Sequence, residues 1–203
     1  SLVTDLLQLW QALGGRGEIP SRAGRFSGPL LVLGGGRTVW DDYAKVRPWK
    51  GEIMAVNDIG AILHDRIRHW VTLHPEYLPG WRHYREKHNY GDRVPAMCHS
   101  HKDREGVDMR WDIGAVGGTS GLFACYVGLL LGYDEIVLAG VPMTGDGHFF
   151  DPPWYRTEFA DRANEMEWKH AIRNIFKGRV SSLSGRTAEW IGNARLESVN
   201  HAP

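Results

Sequence analysis

Residues 117–141, GGTSGLFACYVGLLLGYDEIVLAGV, are the least polar stretch of the chain, and how they are read decides the fold. From Gly121 to Gly132 no side chain is charged, which raises the question of a membrane span. A spanning helix needs about 20 consecutive apolar residues. Here Asp134 and Glu135 interrupt the run, and Gly132 stands where a helix C′ glycine belongs. The stretch is therefore read as a buried helix capped at its start by Thr119 or Ser120. A tight Gly-Tyr-Asp-Glu turn and a β-prone strand, Ile136–Ala139, follow. A helix and a strand this apolar are half of a βαβ unit, and that implies a parallel sheet covered on both faces.

Working outward, 203 residues suffice for one substantial core and are few for two. Lys plus Arg equals Asp plus Glu at 24 each, so no overall field draws the chain to nucleic acid or an anionic membrane. Cys98 and Cys125 are the two cysteines, and Cys125 falls inside the apolar helix. That argues against a disulfide framework and fits a reducing compartment. The opening SLVTDLLQLWQALGG lacks the basic region of a signal peptide, so the cytoplasm is the expected location.

Toward the N-terminus, Thr4 is placed to cap a helix through Leu13 with Leu6, Leu9, Trp10 and Leu13 on one face. That helix would dock on the domain or on a second subunit, giving a homo-oligomer. Gly14 to Gly28 reads as a linker. Residues 1–28 are thus an N-terminal helix and linker, and 29–203 a single α/β nucleotide-binding domain. Within it, Pro29–Leu33 is a strand ending in Gly34-Gly35-Gly36, with a helix from Thr38 to Val46. Glu52–Val56 is the next strand and His69–Leu73 a third, followed by a helix from Glu76 to His88 despite Pro79. Asn89 to Gly118 shows no clear period. Beyond the central stretch come a Gly/Asp/Pro loop, 142–153, a helix from Thr157 to Phe176, and a last strand, Arg179–Ser182. The order β-α-β-β-α-x-α-β-α-β predicts a three-layer, open, mostly parallel twisted sheet of Rossmann-like type.

In such sheets ligands bind beyond the carboxyl ends of the strands. By position this picks out Gly34-Gly35-Gly36-Arg37-Thr38, Asn57-Asp58, His74, the helix start Thr119-Ser120-Gly121, and Gly140. The glycine run is either a tight turn or a place where backbone approaches a phosphate, with helix N–H groups behind it. Arg37 would add a fork to phosphate and Thr38 a hydroxyl. The run matches neither the dinucleotide fingerprint nor the P-loop spacing. Asn57 is either an Asx-turn or an amide facing a base or sugar. His74 is either a loop start or a hydrogen-bond partner.

The string TSGLFACYVGLLLGYDEIVLAGV resembles the motif of bacterial sialyltransferases that use CMP-activated sialic acid. There a Thr-Ser-Gly opens a buried helix and a Leu-Gly-Tyr-x-Glu-Ile turn leads into a strand. It is also similar to a broader family that includes motility-associated flagellin glycosyltransferases and hydroxymethylpterin pyrophosphokinase-like proteins. Their Gly-x-Gly-Pro-Ser-Leu turn has its counterpart in Gly34 to Val39, and an asparagine closing the second strand matches Asn57. The resemblance implies that Gly35, Gly36 and Thr38 touch nucleotide phosphate, that Asn57 touches sugar or base, and that Thr119 and Ser120 touch the nucleotide. It implies a CMP-type nucleotide sugar as donor substrate. The chain departs from the pattern in three places: Gly117 replaces an arginine, Pro142 an aspartate and Thr144 a tyrosine.

The sialyltransferases take the acceptor's proton with a downstream histidine, for which this chain offers His148 and His170. His148 lies in the glycine-flanked loop beside the expected crevice, where Asp146 or Asp151 would orient it as a base. His170 follows Glu165, Glu167 and Lys169 on a solvated helical face. Cys98-His99-Ser-His101-Lys-Asp103 gathers ligand types without the paired spacing of a zinc site, so no protein-bound metal is expected there. A Mg²⁺ held by nucleotide phosphates is compatible with the sequence. Trp154, in Asp-Pro-Pro-Trp-Tyr, is placed to stack on a sugar or base. Three functions follow: a sialyltransferase-like glycosyltransferase, a nucleotide-binding or scaffold protein without chemistry, and a Mg-ATP-dependent pyrophosphokinase.

Overall fold

A computed structural model describes residues 2–88, 94–156 and 162–192. In chain order the elements are α1 (Leu2–Ala12), β1 (Pro29–Leu33), α2 (Val39–Val46), β2 (Glu52–Val56), α3 (Ile59–Ile62) and β3 (His69–Val71). A 3₁₀ turn (Pro75–Tyr77) leads into α4 (Leu78–Lys87), β4 (Met97–Ser100) and β5 (Met109–Arg110). Then come α5 (Ser120–Leu131), β6 (Glu135–Ala139), α6 (Arg162–Asn174), β7 (Val180–Ser182) and α7 (Gly185–Ile191).

The strands form one sheet in the order β5-β4-β3-β2-β1-β6-β7, with every pairing parallel. The strand order grows outward from β1 to β5 on one side, and then reverses so that β6 and β7 lie on the other. The reversal between β1 and β6 is a topological switch point, where crossovers leave in opposite directions and open a crevice.

All twelve residues of α5 are buried. The helix approaches the sheet closely because Gly128 faces it. A Cβ there would come within 2.8 Å of Ile136 Cδ1 and 2.9 Å of Leu30 Cδ2. Gly132 ends the helix at φ +111°, and its N–H donates back to the last turn. The stretch read as a linker satisfies further carbonyls at this end: Gly24 N–H donates to Leu130 O and Phe26 N–H to Leu131 O, both 2.9 Å.

Helix α1 begins at Leu2, so Thr4 lies within it and is not its cap. Trp10 and Leu13 are buried in the same core as α5, with Leu6 and Leu9 packed against them. The apolar face that suggested an oligomer is in large part covered by the chain itself. The 89–118 stretch holds β4 and β5, which at four and two residues are too short to show a period. Short α3 and α7 are further helices that the sequence pattern does not mark. Pro79 is tolerated because it is the second residue of α4, where its missing N–H has no intrahelical partner. The predicted helix start at Thr157 lies outside the described residues. No helix among them is long and apolar enough to cross a membrane.

Under the sheet runs a buried polar chain. Trp111 Nε1 donates to His99 Nδ1 (2.9 Å), His99 Nε2 lies 3.0 Å from His69 Nδ1, and His69 Nε2 lies 2.8 Å from the Tyr133 hydroxyl. An indole N–H can only donate, which fixes every tautomer along the chain. His99 carries its proton on Nε2 and gives it to His69 Nδ1; His69 carries its own on Nε2, toward Tyr133. Burial holds both rings neutral, with His69 pushed down to about 3 and His99 well below its ordinary value. Both cysteines are free and buried, and burial pushes the Cys98 thiol up to about 12.

Candidate functional site

Beyond the carboxyl ends of β1, β2, β3 and β6 lies a cavity of about 370 Å³ at the switch point. Gly34, Gly35, Gly36, Asn57, Asp58, His74, Thr119, Ser120, Gly121, Gly140 and His148 all line it. Arg37, Thr38 and Asp146 lie outside this lining, and their side chains have other partners.

Within the glycine run one position is fixed by close packing and another faces the cavity. A Cβ on Gly36 would lie 2.4 Å from Pro142 Cδ and 2.7 Å from Gly140 O, so close approach of the segment after β6 requires glycine there. At Gly35 the space opens toward the cavity, and the nearest atoms are Asp58 Oδ1 at 3.5 Å and His148 Cδ2 at 3.6 Å. The end of β6 is pinned by buried Asp42. Its Oδ2 accepts from Gly140 N–H (2.9 Å), the Thr38 hydroxyl (3.0 Å) and the Ser184 hydroxyl (2.6 Å). Thr38 thus positions backbone and does not present its hydroxyl to a phosphate.

Arg37 does likewise for the loop. Its Nε, Nη1 and Nη2 donate to the carbonyls of Asp146 (2.6 Å), Asp151 (3.1 Å) and Pro152 (2.9 Å). Phe149 N–H donates to Gly35 O (3.0 Å), which lays the loop along the glycine turn. His148 is held there by Asp151, whose Oδ2 accepts from the His148 backbone N–H (2.7 Å) and lies 3.2 Å from Nδ1. With Nδ1–H directed to a carboxylate, the neutral ring carries its lone pair on Nε2. Phe150 stacks on the imidazole with ring centroids 5.0 Å apart. Asp146 instead accepts from the Thr144 hydroxyl (2.9 Å) and faces Arg156 at 3.8 Å. The partner of His148 is therefore Asp151.

On the facing wall, Asn57 takes a left-handed backbone, φ +56°, at the end of β2. The Thr72 hydroxyl accepts from His74 N–H (2.8 Å) and donates to Asn57 Oδ1 (2.7 Å), which leaves the Asn57 NH₂ as a further donor. Burial pushes the Asp58 carboxyl above its ordinary range, against the opposing pull of His148. Thr119 precedes α5 at φ +88°, ψ 167°, a region essentially reserved for glycine. Its hydroxyl does not cap the helix and lies 3.5 Å from Met143 Sδ. The Thr119 side chain therefore leaves the first N–H groups of α5 without an N-cap bond from it at the cavity wall.

The sequence reading missed the apolar walls: Leu73, Tyr77, Trp81, Met143 and Phe150. The signal for two of them lies in His-Pro-Glu-Tyr, which carries Tyr77, and in the Phe-Phe after His148, which carries Phe150. Trp154 is 77% exposed and outside the lining. His170 is exposed on α6 with Nδ1 3.1 Å from Asn174 Nδ2. Of the Cys98–Asp103 stretch, His99 belongs to the buried chain, and His101 packs edge-on against Phe123. No group of three His, Cys, Asp or Glu among the described residues is arranged to hold a metal ion.

An all-parallel sheet with a crevice at its switch point, lined by a loop and the start of a buried helix, is an open α/β fold of the kind that holds ligands at its strand ends. No family model and no curated protein matches the sequence. Solved structures do match the fold. The chain is similar to the sialyltransferase CstII from Campylobacter jejuni in complex with cytidine-5′-monophosphate, with a TM-score of 0.58 and 15% identity, covering 83% of this chain and 85% of that one. The sialyltransferase CST-II with a trisaccharide acceptor and CMP gives 0.55 at 14% identity, covering 82% and 86%. An apo α-2,3-sialyltransferase from Campylobacter jejuni gives 0.50 at 13%, covering 89% and 86%. At these identities the likeness carries the fold. It does not extend to the flagellin glycosyltransferase or pterin pyrophosphokinase-like groups.

Proposed function

We propose that the cavity binds a nucleotide sugar of the CMP type and that the protein transfers the sugar to an acceptor hydroxyl. The observation that carries this reading is the pairing across one cavity of a helix N-terminus that its N-cap side chain leaves unbonded with an Asp–His pair. The first attracts a phosphate, and the second accepts a proton. The acceptor oxygen attacks the anomeric carbon, the bond from that carbon to the phosphate oxygen breaks, and the nucleoside monophosphate leaves with the electron pair. The acceptor's proton passes to His148 Nε2, and the Asp151 carboxylate, on Nδ1, stabilises the resulting imidazolium. The complexes of the neighbours with CMP support this use of the fold.

A thermal-shift panel of CMP, UMP, ADP and GDP, each with and without Mg²⁺, tests the binding. At a hundredfold excess over Kd a ligand adds about 2.7 kcal/mol, or roughly 5–10 °C in a domain of this size. Ser120→Ala should reduce the shift, and no shift with any nucleotide refutes the reading. A second reading, binding without transfer, is favoured by Gly117 and Pro142, which stand where the sialyltransferase pattern has an arginine and an aspartate. Turnover of a nucleotide sugar that falls about a hundredfold or more in His148→Ala would exclude it.

A further inference from the structure

The start and outer face of α4 carry aromatic rings where a solvated helix ordinarily carries charge. Tyr77, Trp81 and Tyr84 recur at i, i+4 and i+7, which puts them within about 60° of one another around the helix axis. Tyr77 is 57% and Tyr84 43% exposed, Trp81 is half-buried, and the Tyr77 and Trp81 rings lie 5.5 Å apart between centroids. The helix is anchored through a different face, where Leu78 and Arg85 are buried. Tyr77 and Trp81 line the cavity, whereas Tyr84 lies beyond its lining. The stripe therefore starts inside the cavity and leaves it along the helix, over about 10 Å from Tyr77 to Tyr84.

Between the tyrosines stands a glycine that the fold does not require. Gly80 is three residues after Tyr77 and four before Tyr84, so it neighbours both on the helix surface. A Cβ there would meet nothing within 4 Å, and Gly80 is not among the residues of positive φ. Glycine is a poorer helix former than alanine, so neither packing nor backbone geometry accounts for it. Its missing side chain leaves a gap between the two rings, floored by bare backbone. A pyranose suits such a surface, because its C–H face covers a ring, its hydroxyls stay at the solvent edge, and a backbone without Cβ lets it approach. The stripe is one ring wide, flanked by exposed His83, Glu86 and Lys87. A stable protein partner needs about 800 Å² on each side, more than a single row of three half-exposed rings offers, whereas a short glycan needs only a row. Continuity with the cavity says which glycan this is: the acceptor, whose reacting hydroxyl must reach His148 on the same cavity.

We propose that the acceptor is an oligosaccharide of at least two residues, held beyond the cavity against Tyr84 and over Gly80 of α4. This rests on the transferase reading above and adds where its acceptor lies and how long it must be. An array of mono- to tetrasaccharides, probed with the full chain in the presence of CMP, tests it, followed by titration of the best ligand and of the single sugar from its reacting end. The single sugar should bind about tenfold or more weakly than the oligosaccharide. Tyr84→Ala should weaken the oligosaccharide by about three- to tenfold and leave the single sugar unchanged. Gly80→Ala should do the same while its melting temperature stays level or rises, since its methyl meets no neighbour. Neither residue lines the nucleotide cavity, so the CMP-induced thermal shift should persist in both. Monosaccharides that bind as tightly as longer glycans overturn the proposal, as does an oligosaccharide affinity that both variants leave unchanged. Self-association that Tyr84→Ala abolishes would assign the stripe to a second copy and also overturn it. A CMP shift without glycan binding refutes this inference alone, whereas no shift with any nucleotide takes the transferase reading down as well.

Discussion

Lowering the pH from 7 to 5 should destabilise this fold through two histidines that it keeps neutral. His69 and His99 are both fully buried in the chain from Trp111 to Tyr133. Protonating either would place a second N–H against an existing donor. The folded-state value of His69 is depressed from 6.5 to about 3, and that of His99 is also far below 6.5. Between about pH 6.5 and 3 the unfolded chain therefore binds protons that the folded one refuses, so stability is full above 6.5 and falls as pH drops. For one such histidine the loss between pH 7 and 5 is roughly 2 kcal/mol, and for two roughly 4. This is a large part of the 5–15 kcal/mol typical of a domain. Urea unfolding at pH 7, 6 and 5 should show the midpoint falling by more than about 1 M. Ordinary carboxylates titrate mainly below this window, and His101, depressed by partial burial, adds a smaller loss in the same direction. His69→Phe should cut the pH dependence by about half while costing roughly 1–3 kcal/mol at pH 7 for the hydrogen bonds it removes. A midpoint unchanged between pH 7 and 5 would refute the neutral, fixed-tautomer chain.

Gly36→Ala should lower the melting temperature, because its methyl meets Pro142 and Gly140 O, at a cost of about 1–3 kcal/mol. Gly35→Ala fits at ordinary contact distance, and should keep the melting temperature while reducing the nucleotide-induced shift. Asp42→Ala removes the acceptor of three donors, two of them side-chain hydroxyls and one the Gly140 N–H, and should cost about 3 kcal/mol or more by urea titration. Arg37→Ala should leave global unfolding little changed but speed amide exchange at Phe149, whose N–H depends on the loop lying along Gly35.

The apolar stretch revealed α5, β6 and the parallel sheet because a charge-free run with a C′ glycine has few other physical solutions. The crevice followed from chain order, since strand ends in a parallel sheet share one edge. Side-chain direction was not legible. Arg37 and Thr38 sit where phosphate ligands belong, yet one is tied to loop carbonyls and the other to Asp42. A linear sequence shows the type of a side chain near a strand end, while its aim depends on partners the fold supplies, loop carbonyls 109 to 115 residues on for Arg37 and Asp42 four residues on for Thr38. The choice between Asp146 and Asp151 was hidden for a similar reason. Both lie within three residues of His148, and only the turn decides which one reaches its ring.

Backbone strain carries a different kind of information. Among the described residues four non-glycines have positive φ, and three of them, Asn57, Thr119 and Met143, line the cavity from three different segments. Each such residue costs on the order of 1–3 kcal/mol. If burying α5 were the whole task, glycine before Ser120 would serve better than threonine. Thr119→Gly relieves the strain but adds the chain entropy of glycine, about 0.5–1 kcal/mol. The net effect should be a fold as stable as the natural one or up to about 2 kcal/mol more so. The same substitution removes a hydroxyl from the cavity and loosens the helix start, so the nucleotide-induced shift should fall. Parallel melts with and without CMP separate the two effects. A less stable Thr119→Gly with an intact ligand shift would show that the strained threonine serves packing, and the argument from strain to binding would fail.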